Sequence, residues 1–293
     1  MFKQLWWATT MQSPQILVAA SYAARSGDLR IKANRVILCG LAETGDVTRR
    51  FILHESRLQL PDGTIPFEGF LPFQSDGGPA LEDPRSPAIK IIETMGEYDL
   101  FSHASLYREQ DDRLTYPHRR EDSHSYRLYE VPGLPARNAT YITRAEITNM
   151  APGAYKAGEW SSFCSSYIYH AIFEAMDKWI TTNVAPVPGA VMATTERGDF
   201  IQDMHGNTIG GIRTVHSEAP TSKLVDVKMN SRRTWFSGSE RPFNKAKMKA
   251  NYRNIANYRK LATEAIQAQL RVGFLLEDDR EILHRDTVEN VVF

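Results

Sequence analysis

Apolar residues recur along this 293-residue chain in two rhythms, one helical and one strand-like. Ile16, Leu17, Ala20 and Ala24 fall at helical spacing and predict an amphipathic helix over residues 10–26, closed by Gly27. The short apolar run from Val36 to Cys39 predicts a strand over 35–40. Val47, Phe51, Ile52 and Leu58 then predict a helix over 45–58 that can pack on a sheet. Pro61-Asp62-Gly63-Thr64-Ile65-Pro66 is turn chemistry. Further strands are predicted from Phe67 to Phe73, from Ala88 to Thr94 and, by alternation, from Ser125 to Val131. Tyr167, Ile168, Ala171, Ile172, Ala175, Met176 and Trp179 share one face of a predicted helix over 164–182. Strands alternating with helices as far as residue 182 predict an α/β fold: a mostly parallel sheet with helices on both faces.

Beyond residue 182 the rhythm changes. Residues 183–190 are broken by proline, and 200–213 predict a hairpin around His205-Gly206-Asn207, with Gly210-Gly211 allowing a bulge or a close backbone approach. Residues 243–271 predict a helical region. Phe274-Leu275-Leu276 followed by Glu277-Asp278-Asp279 opens a final short helix. The expected organisation is a core over 1–182 and a hairpin-and-helix extension over 183–293 packed on it.

Composition narrows the function by exclusion. Lys+Arg and Asp+Glu both number 35, so no net field draws the chain to nucleic acid or to an anionic membrane. No apolar run approaches the roughly 20 residues of a membrane span. Leu5-Trp6-Trp7-Ala8 is soon interrupted by Gln12, Ser13, Pro14 and Gln15, which makes a poor signal peptide and leaves localisation unassigned. Cys39, within a predicted strand, and Cys164, at a helix start, are expected to be buried thiols.

The candidate chemistry begins at Gly40-Leu41-Ala42-Glu43-Thr44-Gly45, a Gly-bounded turn between predicted strand and helix. That is the setting of a nucleophile elbow, Gly-x-Ser-x-Gly, except that Ala42 holds the nucleophile position. Ligands of open parallel sheets bind beyond the carboxyl ends of the strands. Two more such ends carry informative residues: Met95-Gly96-Glu97-Tyr98-Asp99, and Pro132-Gly133-Leu134-Pro135-Ala136-Arg137-Asn138. The chain resembles an α/β-hydrolase-domain family of serine hydrolases. The resemblance rests on the turn at 40–45 and on Tyr126-Arg127-Leu128-Tyr129-Glu130-Val131-Pro132-Gly133. It continues through Ala175-Met176-Asp177-Lys178-Trp179-Ile180, Asp203 to Arg213, Pro242-Phe243 and Gly273-Phe274-Leu275-Leu276, in order along nearly the whole chain.

The resemblance implies serine-dependent hydrolysis of a carboxylic ester or related acyl bond, without a cofactor or a metal. Asp99 would be the acid, with Glu97 as substitute, and the backbone N–H of Glu43 an oxyanion donor. It also implies that Ala42 stands where the nucleophilic serine belongs and Ala136 where the histidine belongs. The expected consequence is an inactive hydrolase, or alternatively a non-catalytic pseudohydrolase that binds a ligand or serves as a scaffold. The expected ligand is a small ester or acyl compound. Because family members carry preceding strands, an open sheet edge near 35–40 is expected, only partly covered by Trp6, Trp7 and the first helix. Self-association, or pairing with a chain that supplies the missing half, would follow.

Two other constellations carry less weight. Cys164 and His170 are six residues apart, roughly 600° around a helix, and face different ways. His103, His118 and His124 with Asp111, Asp112 and Asp122 match no compact metal spacing and read as a solvated loop.

Overall fold

Four strands pair in the order in which the chain makes them: β1 (Ile37–Leu41), β2 (Gly69–Phe73), β3 (Lys90–Met95) and β4 (Tyr126–Glu130). They belong to a computed structural model that describes residues 2–55, 58–75, 81, 86, 88–97, 99–100, 119–135, 161–224 and 240–291. β1 runs parallel to β2, with Ile37 opposite Gly69 and Leu41 opposite Phe73, and β2 runs parallel to β3. Hydrogen bonds from Ile91 N to Ser125 O and from Val131 N to Met95 O join β3 to β4 in the same sense. The chain divides into two compact units. The first comprises Met1–Thr94, His118–Leu128 and Met176–Pro186; the second comprises Met95–Pro117, Tyr129–Ala175 and Val187–Phe293.

Within the first unit both faces of the sheet carry helices. Successive strand residues point to opposite faces, so Phe70 and Gly69 report on the two sides. On one side Phe51, just after α2 (Glu43–Arg50), lies with its ring 5.9 Å from that of Phe70 and edge-on to that of Phe67 at 5.2 Å. Ile91, Tyr126, Leu128 and Leu17 of α1 (Phe2–Ser26) complete that apolar cluster. On the other side lies the end of α3 (Ser166–Thr182). A Cβ at Gly69 would come within 2.9 Å of Met176 Sδ. Trp179, 1 % exposed, receives Lys90 and Arg127 over its ring at 5.5 and 5.1 Å. Those two cations alternate along β3 and β4 with the apolar positions of the opposite face.

The predicted strands are present, with ends shifted by one or two residues. The helix expected over 45–58 begins earlier, at Glu43, and widens at Phe51–Glu55 into a π-helical turn. The first helix extends to Phe2 rather than starting near residue 10; the side chains of Trp6 and Trp7 lie outside the described residues. The buried-thiol reading is corrected. Both cysteines are free, but Cys39 is exposed and Cys164 half-buried. Among the described residues β1 is hydrogen-bonded to β2 alone, so an edge strand leaves Cys39 and Leu41 uncovered.

In the second unit the ladder is extended by a parallel bridge between Tyr129 and Ala190. Antiparallel bridges Met192–Gly210, Thr194–Phe200 and Gln202–Thr208 form the expected hairpin, with the chain at 192–194 added to it. The helical region beyond 243 is two helices, α5 (Lys245–Tyr252) and α6 (Ile255–Val272), after a short α4 (Val215–Glu218). Arg253, at φ 65°, breaks the helix. Asn244 and Asn254 then cap the two starts by accepting from Lys247 N at 2.8 Å and Asn257 N at 2.9 Å. Gly273 in the left-handed region ends α6, and α7 (Glu277–His284) follows. Tyr167, Val215, Tyr252, Tyr258, Ile266 and Leu283 share the core of these helices. Strands β5 (Ser222–Leu224) and β6 (Glu240–Pro242) pair antiparallel beside them. Among the described residues no helix is long and apolar enough to cross a membrane.

Candidate active site

One residue, Ala42, separates β1 from α2, and it has φ 54° and ψ −123°. A side chain is disfavoured in that left-handed region, and such strain clusters at functional turns. The local bonding explains the positive φ. Thr44 Oγ1 accepts from Leu41 N and donates to Leu41 O, both at 2.8 Å. Ala42 N donates to Phe73 O at 3.1 Å, tying the turn to β2. Glycine is required on both flanks: a Cβ at Gly40 would sit 2.0 Å from Thr44 O, and one at Gly45 would sit 2.6 Å from Phe73 O. Ala42 is half-buried, and Glu43, the first residue of α2, is exposed. Glu43 and Asp46 in the first turn and Arg49 and Arg50 in the last suit the helix dipole.

In the second unit the chain leaving β3 carries both candidate acids, and both are buried. Asp99 accepts from Gly96 N at 2.7 Å, closing its own loop. Glu97 accepts from Gly133 N at 2.9 Å, so it ties this loop to the one after β4. Burial pushes the Glu97 carboxyl up to about 7, against the opposing hydrogen bonds from Thr208 and Gly133. Ala136, the expected histidine position, lies outside the described residues, as does Tyr98.

The remaining candidates separate. Cys164 Sγ is 2.9 Å from Ser166 Oγ, whereas His170 Nδ1 is 2.9 Å from Asp279 Oδ2 of α7. His103, Asp111, Asp112 and His118 lie outside the described residues. Asp122 instead accepts from Leu128 N at 3.1 Å and meets Arg127 at 3.5 Å, and the carbonyl of His124 lies 3.5 Å from Lys90 Nζ. Among the described residues no group of three or more His, Cys, Asp or Glu could hold a metal. Gly211 admits a close approach, since a Cβ there would meet Glu130 O at 2.5 Å. Sequence reasoning passed over Glu130, fully buried, which accepts from Met192 N at 2.7 Å and holds the hairpin beside β4. Nothing in a Tyr-Glu-Val strand end marks such a partner 62 residues away.

The profile of a family described as alpha/beta hydrolase domain matches residues 3–285. The chain belongs to that family. No curated protein and no solved structure matches it. The alpha/beta hydrolase match runs through both compact units. The match extends over the hairpin and over helices α4 to α7.

Proposed function

We propose that the turn at Ala42 is the nucleophile elbow of a serine-type frame for carboxylic esters or related acyl compounds, and that this chain binds such a compound without turning it over. The observation that carries this reading is the strained backbone of Ala42, φ 54° and ψ −123°, between a parallel strand and a helix. The strain persists although no hydroxyl is there to use it. In the corresponding reaction a serine Oγ attacks the acyl carbon, and histidine takes its proton. The N–H at the start of the following helix stabilises the oxyanion, and an acid orients the imidazole. Ala42 offers no lone pair to attack, and Ala136 accepts no proton. Loss of such groups lowers turnover by about 10⁶ where it has been measured in a serine protease. What remains is the Glu43 N–H at the N-terminus of α2, a donor for a carbonyl or carboxylate oxygen.

The acid role falls to Asp99 rather than Glu97. A carboxyl raised to about 7 is only partly ionised near neutrality and is a poor partner for an imidazolium, and Glu97 is already engaged by Gly133. The test is labelling with a fluorophosphonate probe beside a panel of short esters. The chain as it stands should show no label at residue 42 and negligible turnover. The Ala42→Ser, Ala136→His double variant should acquire the label at residue 42. Stoichiometric labelling of the parent at Ser162 or Cys164 would move the nucleophile elsewhere and end this reading.

A further inference from the structure

The second unit holds an open cavity of about 590 Å³, within the range of small-molecule sites. None of its lining residues belongs to the turn at Ala42 or to the acid loop. One wall is a face of α6, where Leu261, Ala265 and Ala268 recur at helical spacing and the two alanines leave the space. Pro188, Ile212 and Phe274 also line it, and Phe274 is held edge-on against Tyr129 with ring centres 4.9 Å apart.

The polar lining is sparse and specific. Gln269 is 3 % exposed, and its Oε1 accepts from Val215 N at 2.7 Å. That bond fixes the amide and leaves Nε2, which makes no hydrogen bond among the described residues, as a donor at the cavity wall. Arg213 offers no charge to a ligand. Its Nε donates to Glu218 at 2.5 Å, and its two terminal nitrogens donate to Thr208 O at 3.0 Å and Ser217 O at 2.9 Å. Glu264 adds negative charge to the lining and meets Lys260 only at 4.0 Å. The Arg213–Glu218 pair is neutral as a whole, so an anion would face the Glu264 carboxylate and no uncommitted lining cation.

We infer that this cavity binds a neutral, largely apolar small molecule through one carbonyl-type oxygen, which accepts from Gln269 Nε2 while the apolar body packs between α6 and Phe274. The inference stands whether or not Ala42 marks an elbow. Fluorescence titration of the full chain with Nile red, a neutral dye with one ring carbonyl, tests it, with the anionic dye 8-anilinonaphthalene-1-sulfonate alongside. Nile red should bind saturably at one site, at least tenfold more tightly than the sulfonate. Ala268→Trp, which fills the cavity, and Leu261→Glu, which places a charge at its exposed lip, should each weaken Nile red at least tenfold with thermal unfolding unchanged. Gln269→Glu keeps an acceptor for Val215 N but removes the donor, and should weaken binding as well. Should Ala268→Trp fail to fold, Leu261→Glu decides alone. Non-saturable binding, or binding unchanged in the folded lip and cavity variants, overturns the site. A sulfonate bound as tightly as Nile red overturns the assignment to a neutral ligand.

Discussion

Arg49 of α2 and Glu93 of β3 form an ion pair inside the first unit, with side chains only 2 % and 1 % exposed. Tyr126 of β4 donates its hydroxyl to the same carboxylate at 2.6 Å. One buried acid thus joins the helix that follows Ala42 to two strands of the sheet. The turn at Ala42 and the seating of α2 are therefore parts of one arrangement.

Removing one member of a buried pair leaves the other charge without compensation, which costs about 3–5 kcal/mol. Glu93→Gln keeps the shape and an acceptor for Tyr126, and should lower unfolding stability by that amount in urea titration. The Arg49→Met, Glu93→Gln double variant should lose much less than the two single losses added together. A loss below about 1 kcal/mol for Glu93→Gln would mean that Arg49 reaches water or another partner, and that the pair does not seat α2.

The turn makes its own prediction. A residue held at φ 54° carries strain of about 1–3 kcal/mol, which glycine relieves at an entropic cost of about 0.4–1 kcal/mol in the unfolded chain. Ala42→Gly should therefore raise stability by about 1 kcal/mol. Gly40→Ala should do the opposite, by about 3 kcal/mol, since its new Cβ would meet the Thr44 carbonyl rather than a yielding side chain. Denaturant midpoints of the two variants on opposite sides of the parent would confirm the geometry. A destabilised Ala42→Gly would show that the turn is not strained.

Much of this was legible in the sequence because the physics is local. Parallel strands covered on both faces read as apolar runs, and those at Val36–Cys39 and Phe67–Phe73 lie within a residue or two of β1 and β2. Gly40 and Gly45 flank a tight turn because no other residue clears the carbonyls there. What escaped depends on partners remote in the chain. Nothing in the Thr-Arg-Arg run marks Arg49 as the partner of a buried Glu93 in a strand 44 residues on. Cys39 reads as buried because a strand pattern does not say which strand lies at an edge. His170 paired with Asp279 across 109 residues, and no spacing rule reaches that far. The break at Arg253 was hidden because arginine is a good helix former, although the caps Asn244 and Asn254 were there to be read.

Glu97 gives the folded chain a pH dependence of definite sign. Below its ordinary value of 4.5 the carboxyl is neutral in both folded and unfolded states, and burial exacts nothing. As pH rises from 4.5 to about 7 the unfolded chain ionises while the folded one does not, so stability falls, by about 3 kcal/mol in all. Gln at this position still accepts from Gly133 N and never ionises. Glu97→Gln should therefore gain about that much stability over the parent between pH 4 and pH 8. Parallel stability–pH curves for the two proteins would refute the burial account of Glu97.

His216 works in the opposite direction over nearly the same window. Its ring lies 4.4 Å from Phe163, its Nε2 is closed off from water, and burial pushes it from 6.5 down to about 4. Above 6.5 the imidazole is neutral in both states. As pH falls from 6.5 to 4 the unfolded chain takes up a proton that the folded chain refuses, and stability is lost. Between about 4.5 and 6.5 the two groups therefore oppose each other: acidification relieves Glu97 while it penalises His216. The difference between Glu97→Gln and the parent, and that between His216→Phe and the parent, should have opposite slopes across that interval. His216→Phe, which keeps a ring against Phe163, should be the more acid-resistant protein. In the Glu97→Gln background the histidine acts unopposed, so stability should fall more steeply from pH 6.5 to pH 4 than it does in the parent. Denaturant unfolding of the parent and the two variants from pH 4 to 8 measures each slope. Slopes of the same sign, or acid unfolding unmoved by His216→Phe, would remove His216 as the group that burial keeps neutral.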